Sequence, residues 1–355
     1  MIFCAAGDPG GSRALLPVIE TLANEAMPCT VLEHGFLGTE LPAAFRHRLC
    51  PPEEAEQTLE RCRAFLFGSS ACDTVPLTLA RLADAKGIPV VHVLDNWGTY
   101  LGRLCTDGLA PLVPAVYAVL DEEARRGALA EGVPESCLVV SGHPGMAETA
   151  RVLDGLLTTR QTAFATRHGQ VHIAFVNEPF ASVLGTDITA PNHPGFTEDR
   201  VLAAFCQALQ PMAGNIFVSV LPHPKQDEEI VNSLWQHVRG DLQGRVTPPG
   251  RGREILAEID GVAGMASILL YEAWLCGIPV LALQPQCKLD SMRRFALLAG
   301  IDYSNDWLTV PPCIKHWLSR CAAGIVGPSR PELALHADAP MRIAKILRDL
   351  AGKST

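Results

Sequence analysis

Short apolar runs alternate along this chain with longer stretches whose apolar residues recur at helical spacing. Residues 2–6 predict a strand that ends at Gly7-Asp8-Pro9-Gly10-Gly11-Ser12, after which Leu15, Leu16, Ile19 and Leu22 mark one face of a helix. Residues 29–32 read as the next strand, and 64–67 as another that ends at Gly68-Ser69-Ser70. A helix over 77–85 leads through Gly87-Ile88-Pro89 into a strand at 90–94, and strands at 115–120 and 138–141 complete a first set. The pattern then restarts. A helix and linker over 152–168 precede strands at 171–176 and 216–221, with helices at 198–209 and 227–238. A short turn at 255–258, a strand tip at 261–263, a helix at 267–276, a strand at 280–283 and a last helix at 339–350 follow.

Apolar strands separated by amphipathic helices predict parallel sheets covered on both faces. The expected fold is therefore α/β, with two Rossmann-like domains joined near residues 145–170, their sheets facing a central cleft. No short-period repeat is visible. The 355 residues agree with this division, since a domain takes roughly 150 residues. Hydrophobic residues make up 48% and charged residues 19%, which excludes a disordered chain. The net charge of −9 argues against nucleic acid as a partner but allows a local basic pocket.

The cysteines show no CxxC spacing for a zinc or redox site, and Cys4, Cys206 and Cys276 lie in apolar stretches. Cys72 adjoins Asp73 with no His nearby in sequence, so the thiols read as inert, in a reducing cytoplasm. The first residues lack a basic n-region, and the longest apolar run, 268–283, is broken by Glu272 and Gly277-Ile278-Pro279. A soluble, cytoplasmic protein is expected.

Candidate chemistry gathers where strands end. Residues 260–267, Asp-Gly-Val-Ala-Gly-Met-Ala-Ser, carry a strand end into a helix start. Free N–H groups and small residues at Gly264, Ala266 and Ser267, around Met265, suit a diphosphate there. Glu272, one turn into that helix, suits ribose hydroxyls, whereas the plainer reading makes Ser267 an ordinary cap. His223 and Lys225, in Leu221-Pro222-His223-Pro224-Lys225, can donate to phosphate oxygens or form a rigid surface turn. Glu178, in Asn177-Glu178-Pro179-Phe180, either touches a ligand or caps a turn. Arg251 and Arg253 either neutralise a diphosphate or are solvated.

In the first half, Gly7-Asp8-Pro9-Gly10-Gly11-Ser12-Arg13 matches neither the GxGxxG nor the P-loop spacing. Its Gly10 and Gly11 allow a ligand close to the backbone, and Asp8 is a general base or a residue that fixes the turn. Asp95, Asn96, Trp97 and Tyr100 follow the strand at 90–94 and suit a sugar-binding wall. Arg103 is a partner for Asp95, and His92 reads as a core histidine. Gly142-His143-Pro144-Gly145 reads first as a hinge.

Taken together these elements resemble the GT-B-fold glycosyltransferases and the related UDP-N-acetylglucosamine 2-epimerases. The resemblance rests on the Gly-rich turn at 7–12, Gly87-Ile88-Pro89-Val90 before His92, the Gly-His-Pro turn, and Leu221-Pro222-His223-Pro224. Its most specific part is Asp260, Gly264, Ser267, Glu272-Ala273 and Gly277-Ile278-Pro279. It implies an acceptor-side domain at 1–150, a nucleotide-sugar domain at 165–335, and a C-terminal helix at 336–355 crossing back to the first domain. It also implies a metal-independent transferase with no cofactor, taking a nucleotide-sugar as substrate, with Asp8 or Asp95 as the base. Gly264, Met265, Ala266 and Ser267 would meet the diphosphate, Glu272 the ribose, and His223 the phosphates or sugar. Gly10, Gly11, Asn96 and Trp97 would face a glycan or lipid-linked acceptor, with peripheral membrane contact allowed. The chain departs from the epimerases, which carry Glu where Leu94 stands and a His-Arg-x-Glu turn where Asn177-Glu178-Pro179-Phe180 stands. Transfer is accordingly expected ahead of epimerisation, with a non-catalytic nucleotide-sugar-binding protein as a third reading.

Overall fold

The computed structural model describes residues 1–68, 73–106, 108–167, 169–324 and 330–353; Ser69, Ser70 and Cys72 lie outside them. The chain forms two compact units, Met1–Arg151 with Ala334–Thr355, and Val152–Leu333.

The first unit is built on β1 (Ile2–Ala5), β2 (Cys29–Leu32), β3 (Leu49–Cys50), β4 (Ala64–Gly68), β5 (Val90–Val93), β6 (Val116–Val119) and β7 (Leu138–Val140). They form one parallel sheet in the order β3-β2-β1-β4-β5-β6-β7. Every residue of β1, β4 and β5 is buried, as expected of strands covered on both faces. Across one face Phe3, Phe65, Phe67, His92 and Tyr117 form a row of ring contacts with centroids 4.4 to 6.1 Å apart. Burial there holds His92 well below the usual imidazole range, so it is a neutral core residue.

The last helix, Ala339–Lys353, belongs to this unit. Ile343, Ala344 and Leu347 are fully buried in the same core cluster as Leu15, Ile19 and Leu22 of the helix Pro9–Asn24. The (i, i+4) spacing of Ile343 and Leu347 puts both on the inner face. A buried leucine of this kind contributes about 2–5 kcal/mol relative to alanine.

The second unit carries β8 (Val171–Val176), β9 (Ile216–Leu221), β10 (Gln243–Val246), β11 (Gly261–Gly264), β12 (Val280–Leu283) and β13 (Asp302–Ser304). These strands are parallel in the order β10-β9-β8-β11-β12-β13. The helix Ala147–Thr166 carries the chain from one unit to the other, beginning before the expected residue 152.

Three strands escape a reading by apolar runs, and all are edges. β3 has two residues, β10 alternates exposed Gln243 and Arg245 with half-buried neighbours, and β13 opens on Asp302. The unpredicted helix Val310–Ala322 carries Pro311 and Pro312 in its first turn, where no intrahelical N–H bond is lost.

Among the described residues no helix is long and apolar enough to cross a membrane. The described cysteines are free thiols, and burial raises those of Cys4, Cys206 and Cys276.

Candidate functional site

In each sheet the order reverses beside one strand, and the crevice at the carboxyl ends there is where α/β folds collect ligands. The reversal lies at β1, between β2 and β4, in the first unit. It lies at β8, between β9 and β11, in the second.

At the end of β1 the chain passes through Gly7 and Asp8 into the helix Pro9–Asn24, with Pro9 pre-set for the first helical position. Asp8 is the N-cap residue, yet its side chain makes no capping bond. Two carboxylates rest directly against this turn. A Cβ on Gly10 would lie 2.0 Å from Asp95 Oδ2, and one on Gly7 would lie 1.6 Å from Asp73 Oδ2. Only a residue without a side chain permits either approach. Negative charge is favoured here by the positive end of the helix.

Asp95 is ion-paired, with Arg103 Nη1 2.6 Å from its Oδ1 and both side chains 15% exposed. Its backbone oxygen lies 3.0 Å from His143 Nε2. Asn96 turns its Oδ1 to its own chain, accepting from the N–H of Trp97 at 2.8 Å. The indole N–H of Trp97 donates to both oxygens of Asp121 at 3.1 Å, and Asp121 also caps the helix Glu122–Ala130. The indole is thus fixed by its edge and half-buried.

Sequence reasoning missed the pair beside Gly7. His34 Nε2 and Asp73 Oδ2 lie 2.9 Å apart, and Asp73 Oδ1 accepts from the N–H of Val75 at 3.0 Å. His34 precedes a glycine with φ of +54°, Gly35, whose Cβ position would lie 2.3 Å from the carbonyl oxygen of Gly7. That Asp73 has no nearby His holds along the chain but not in space, because β2 and β4 flank β1. In the sequence, the glycine that follows His34 was a signal for this turn.

The Gly142-His143 turn, expected as a hinge, is tied into its unit. His143 donates its N–H to His336 Nδ1 at 2.9 Å, and Arg342 donates to the carbonyl of Ser141 at 3.0 Å. Gly142 has φ of +83° and packs on the carbonyl of Leu335.

In the second unit the ends of β9, β8 and β11 meet. Asn177 Nδ2 donates to Gln226 Oε1 at 3.3 Å, and that oxygen also accepts the N–H of His223 at 2.9 Å. His223 Nδ1 accepts from the N–H of Lys225 at 3.1 Å, which leaves the ring proton on Nε2. The Lys225 side chain is exposed.

At the end of β11, Gly264 is buried, with the carbonyl oxygen of Val176 3.1 Å from its Cβ position. Met265 is buried, and its carbonyl accepts from Gln284 Nε2 at 2.8 Å. The N–H of Ala266 donates to Glu178 Oε2 at 2.7 Å. Burial first, and the charge of Glu198 next, push the Glu178 carboxyl up to about 7 against the opposing pull of that N–H. Ser267 is the cap of the helix Ile268–Leu275, accepting from the N–H of Leu269.

Glu272, 4% exposed, accepts from Arg253 Nε at 2.6 Å. Arg251 pairs instead with Glu254. A cavity of about 220 Å³ at the end of β10 is lined by Val246, Thr247, Pro248, Arg251, Glu254 and Ile255. It is smaller than the roughly 300–1,000 Å³ of a pocket for a whole small-molecule ligand. Among the described residues no group of three or more His, Cys, Asp or Glu is placed to hold a metal ion.

No protein-family model matches the sequence, and no curated protein matches it. Solved structures do. The S. aureus MnaA–UDP co-structure superposes with a TM-score of 0.65 at 12% identity, covering 98% of this chain and 95% of that one. The UDP-GlcNAc 2-epimerase of Methanocaldococcus jannaschii, in complex with UDP-GlcNAc and UDP, gives 0.64 at 13% identity over 98% and 99%. Anabaena HepE in complex with UDP-glucose gives 0.57 at 12% identity over 99% and 98%. The fold is GT-B-like. The two parallel sheets and the return of the last helix to the first unit are the GT-B-like features seen here. At these identities the likeness extends to the fold and not to the side chains of the crevices.

Proposed function

We propose that this protein is an enzyme acting on a nucleotide sugar, with epimerisation at C2 of the sugar as its reaction. The observation that carries the reading is the likeness, over nearly the whole chain, to a 2-epimerase holding UDP-GlcNAc and UDP. In this reading the second unit holds the nucleotide. The N–H of Ala266 and Nε2 of His223 serve the diphosphate, with Gly264, Met265 and Ser267 shaping its seat. Glu272 serves the ribose, and Lys225 adds positive charge at the rim. The first unit supplies groups for proton transfer, since inversion at C2 needs one group to take a proton and another to return it. The His34–Asp73 pair and Asp8 are the candidates. Asp95 is committed to Arg103 and serves better to shape the crevice than as a base.

Transfer of the sugar to a glycan or lipid-linked acceptor is the second reading. It is favoured by Leu94, standing where the epimerases carry Glu, and by the Anabaena HepE structure with UDP and glucose. In that case Asp8 is the base, and Gly10, Gly11, Asn96 and Trp97 face the acceptor.

Incubation with a panel of UDP-, GDP-, CMP- and CDP-sugars, followed by NMR of the products, tests both. A C2-inverted sugar or sugar nucleotide supports epimerisation, and a product formed only with an acceptor supports transfer. Binding without turnover under either condition refutes an enzyme.

A further inference from the structure

A carboxylate occupies the start of the helix Ile268–Leu275, an end that favours an anion. Glu178 leaves the end of β8 and crosses to the end of β11, where its Oε2 takes the N–H of Ala266 at 2.7 Å. This is the N–H that precedes the helix Ile268–Leu275, whose positive end favours negative charge. One N–H cannot serve a carboxylate and a phosphate oxygen at full strength, and two anions at this spacing repel each other.

The neighbouring residue gives independent evidence of a ligand. Asn177 is 1% exposed and, among the described residues, its Oδ1 has no partner, a buried acceptor that a hydroxyl-bearing ligand would satisfy. Glu178 as a whole residue is half-buried.

We propose that Glu178 is a built-in competitor for the anion site of the second unit, and that a nucleotide diphosphate enters only when this carboxylate is protonated or moved aside. The proposal rests on the nucleotide-sugar reading above and adds to it a regulated entry step. The charged and titratable groups around Glu178 come from each neighbouring element. Glu198 lies on the helix Glu198–Leu209, with Oε2 accepting from the N–H of Ala181 at 2.9 Å. Glu272, paired with Arg253, lies on the helix Ile268–Leu275. His223 and Lys225 follow β9. Burial and Glu198 both favour the protonated carboxyl, which places its titration at about 7. Below that pH the group is neutral and yields the N–H; above it the carboxylate holds its place.

The test is calorimetric binding of UDP-N-acetylglucosamine, whose diphosphate diester does not titrate near neutrality, with uridine as the control. The full chain is compared with Glu178→Gln and Glu178→Ala between about pH 5.5 and 8.5. The wild type is expected to lose more than about tenfold in affinity for the sugar nucleotide across this range, with uridine unaffected. Glu178→Ala is expected to bind the sugar nucleotide more than about tenfold tighter than wild type at the upper pH, with a flat profile.

A variant that keeps the wild-type slope would assign the slope to another group, His223 first, and overturn the proposal. Binding of uridine and UDP-N-acetylglucosamine with neither slope nor gain would overturn it while leaving the nucleotide-sugar reading intact. No binding by any form, of these ligands or of the GDP-, CMP- and CDP-sugars, would overturn both. Should the alanine variant fail to fold, Glu178→Gln and the wild-type profile against uridine decide the matter.

Discussion

His336 Nδ1 accepts the backbone N–H of His143 at 2.9 Å, joining residues 193 positions apart in the chain. An imidazole that accepts at Nδ1 cannot carry a proton there. Burial first, then His143 and Arg342, push the His336 ring down to about 3. The unfolded chain, with an ordinary imidazole, takes up a proton as the pH falls below about 6.5. The folded chain takes it up only near 3, so stability falls between these limits, by up to about 1.4 kcal/mol per pH unit. His336→Asn, whose Oδ1 replaces Nδ1 as acceptor, is expected to flatten this part of the acid limb in urea unfolding between about pH 4 and 7. An unchanged slope would assign it to other groups, such as His172, pushed down to about 4.

The Asp95–Arg103 pair predicts a stability effect separate from chemistry. Asp95→Asn leaves a largely buried guanidinium without its carboxylate and is expected to lose about 3 kcal/mol in urea unfolding. The double variant Asp95→Leu, Arg103→Met is expected to lose less, because no unpaired charge remains. A loss as large in the double variant would mean that packing dominates at this position.

Gly7 and Gly10 test whether the first unit's carboxylates matter where they stand. Adding a methyl group drives it into Asp73 or Asp95. Gly7→Ala and Gly10→Ala are expected to reduce product formation by more than about tenfold while leaving unchanged the uridine affinity that the proposal assigns to the second unit. Full activity in both would remove these carboxylates from the proposed chemistry.

Glu272 is buried against Arg253, so its carboxylate is held in one position before any ligand arrives. Glu272→Ala is expected to weaken uridine binding by about 1.5–3 kcal/mol, the usual size of a hydrogen bond to a charged group. Unchanged affinity by calorimetry would withdraw the ribose assignment and leave the residue as Arg253's partner.

By itself the sequence determined the two parallel sheets, because strands covered on both faces must be largely apolar, as β1, β4, β5 and β8 are, with one histidine each in β5 and β8. It also marked the turns of the proposed site, since Gly10, Gly264 and Ser267 stand where a strand gives way to a helix. It did not reveal β3, β10 or β13, whose edge positions relax the demand for apolar residues. Nor did it reveal which charges would meet. His34 and Asp73 are 39 residues apart and Glu178 and Ala266 are 88 apart, and they meet because of the order in which strands joined their sheets. Periodicity reports how each segment is buried. It carries no information about which segment lies beside it, and the chemistry of both crevices depends on that adjacency.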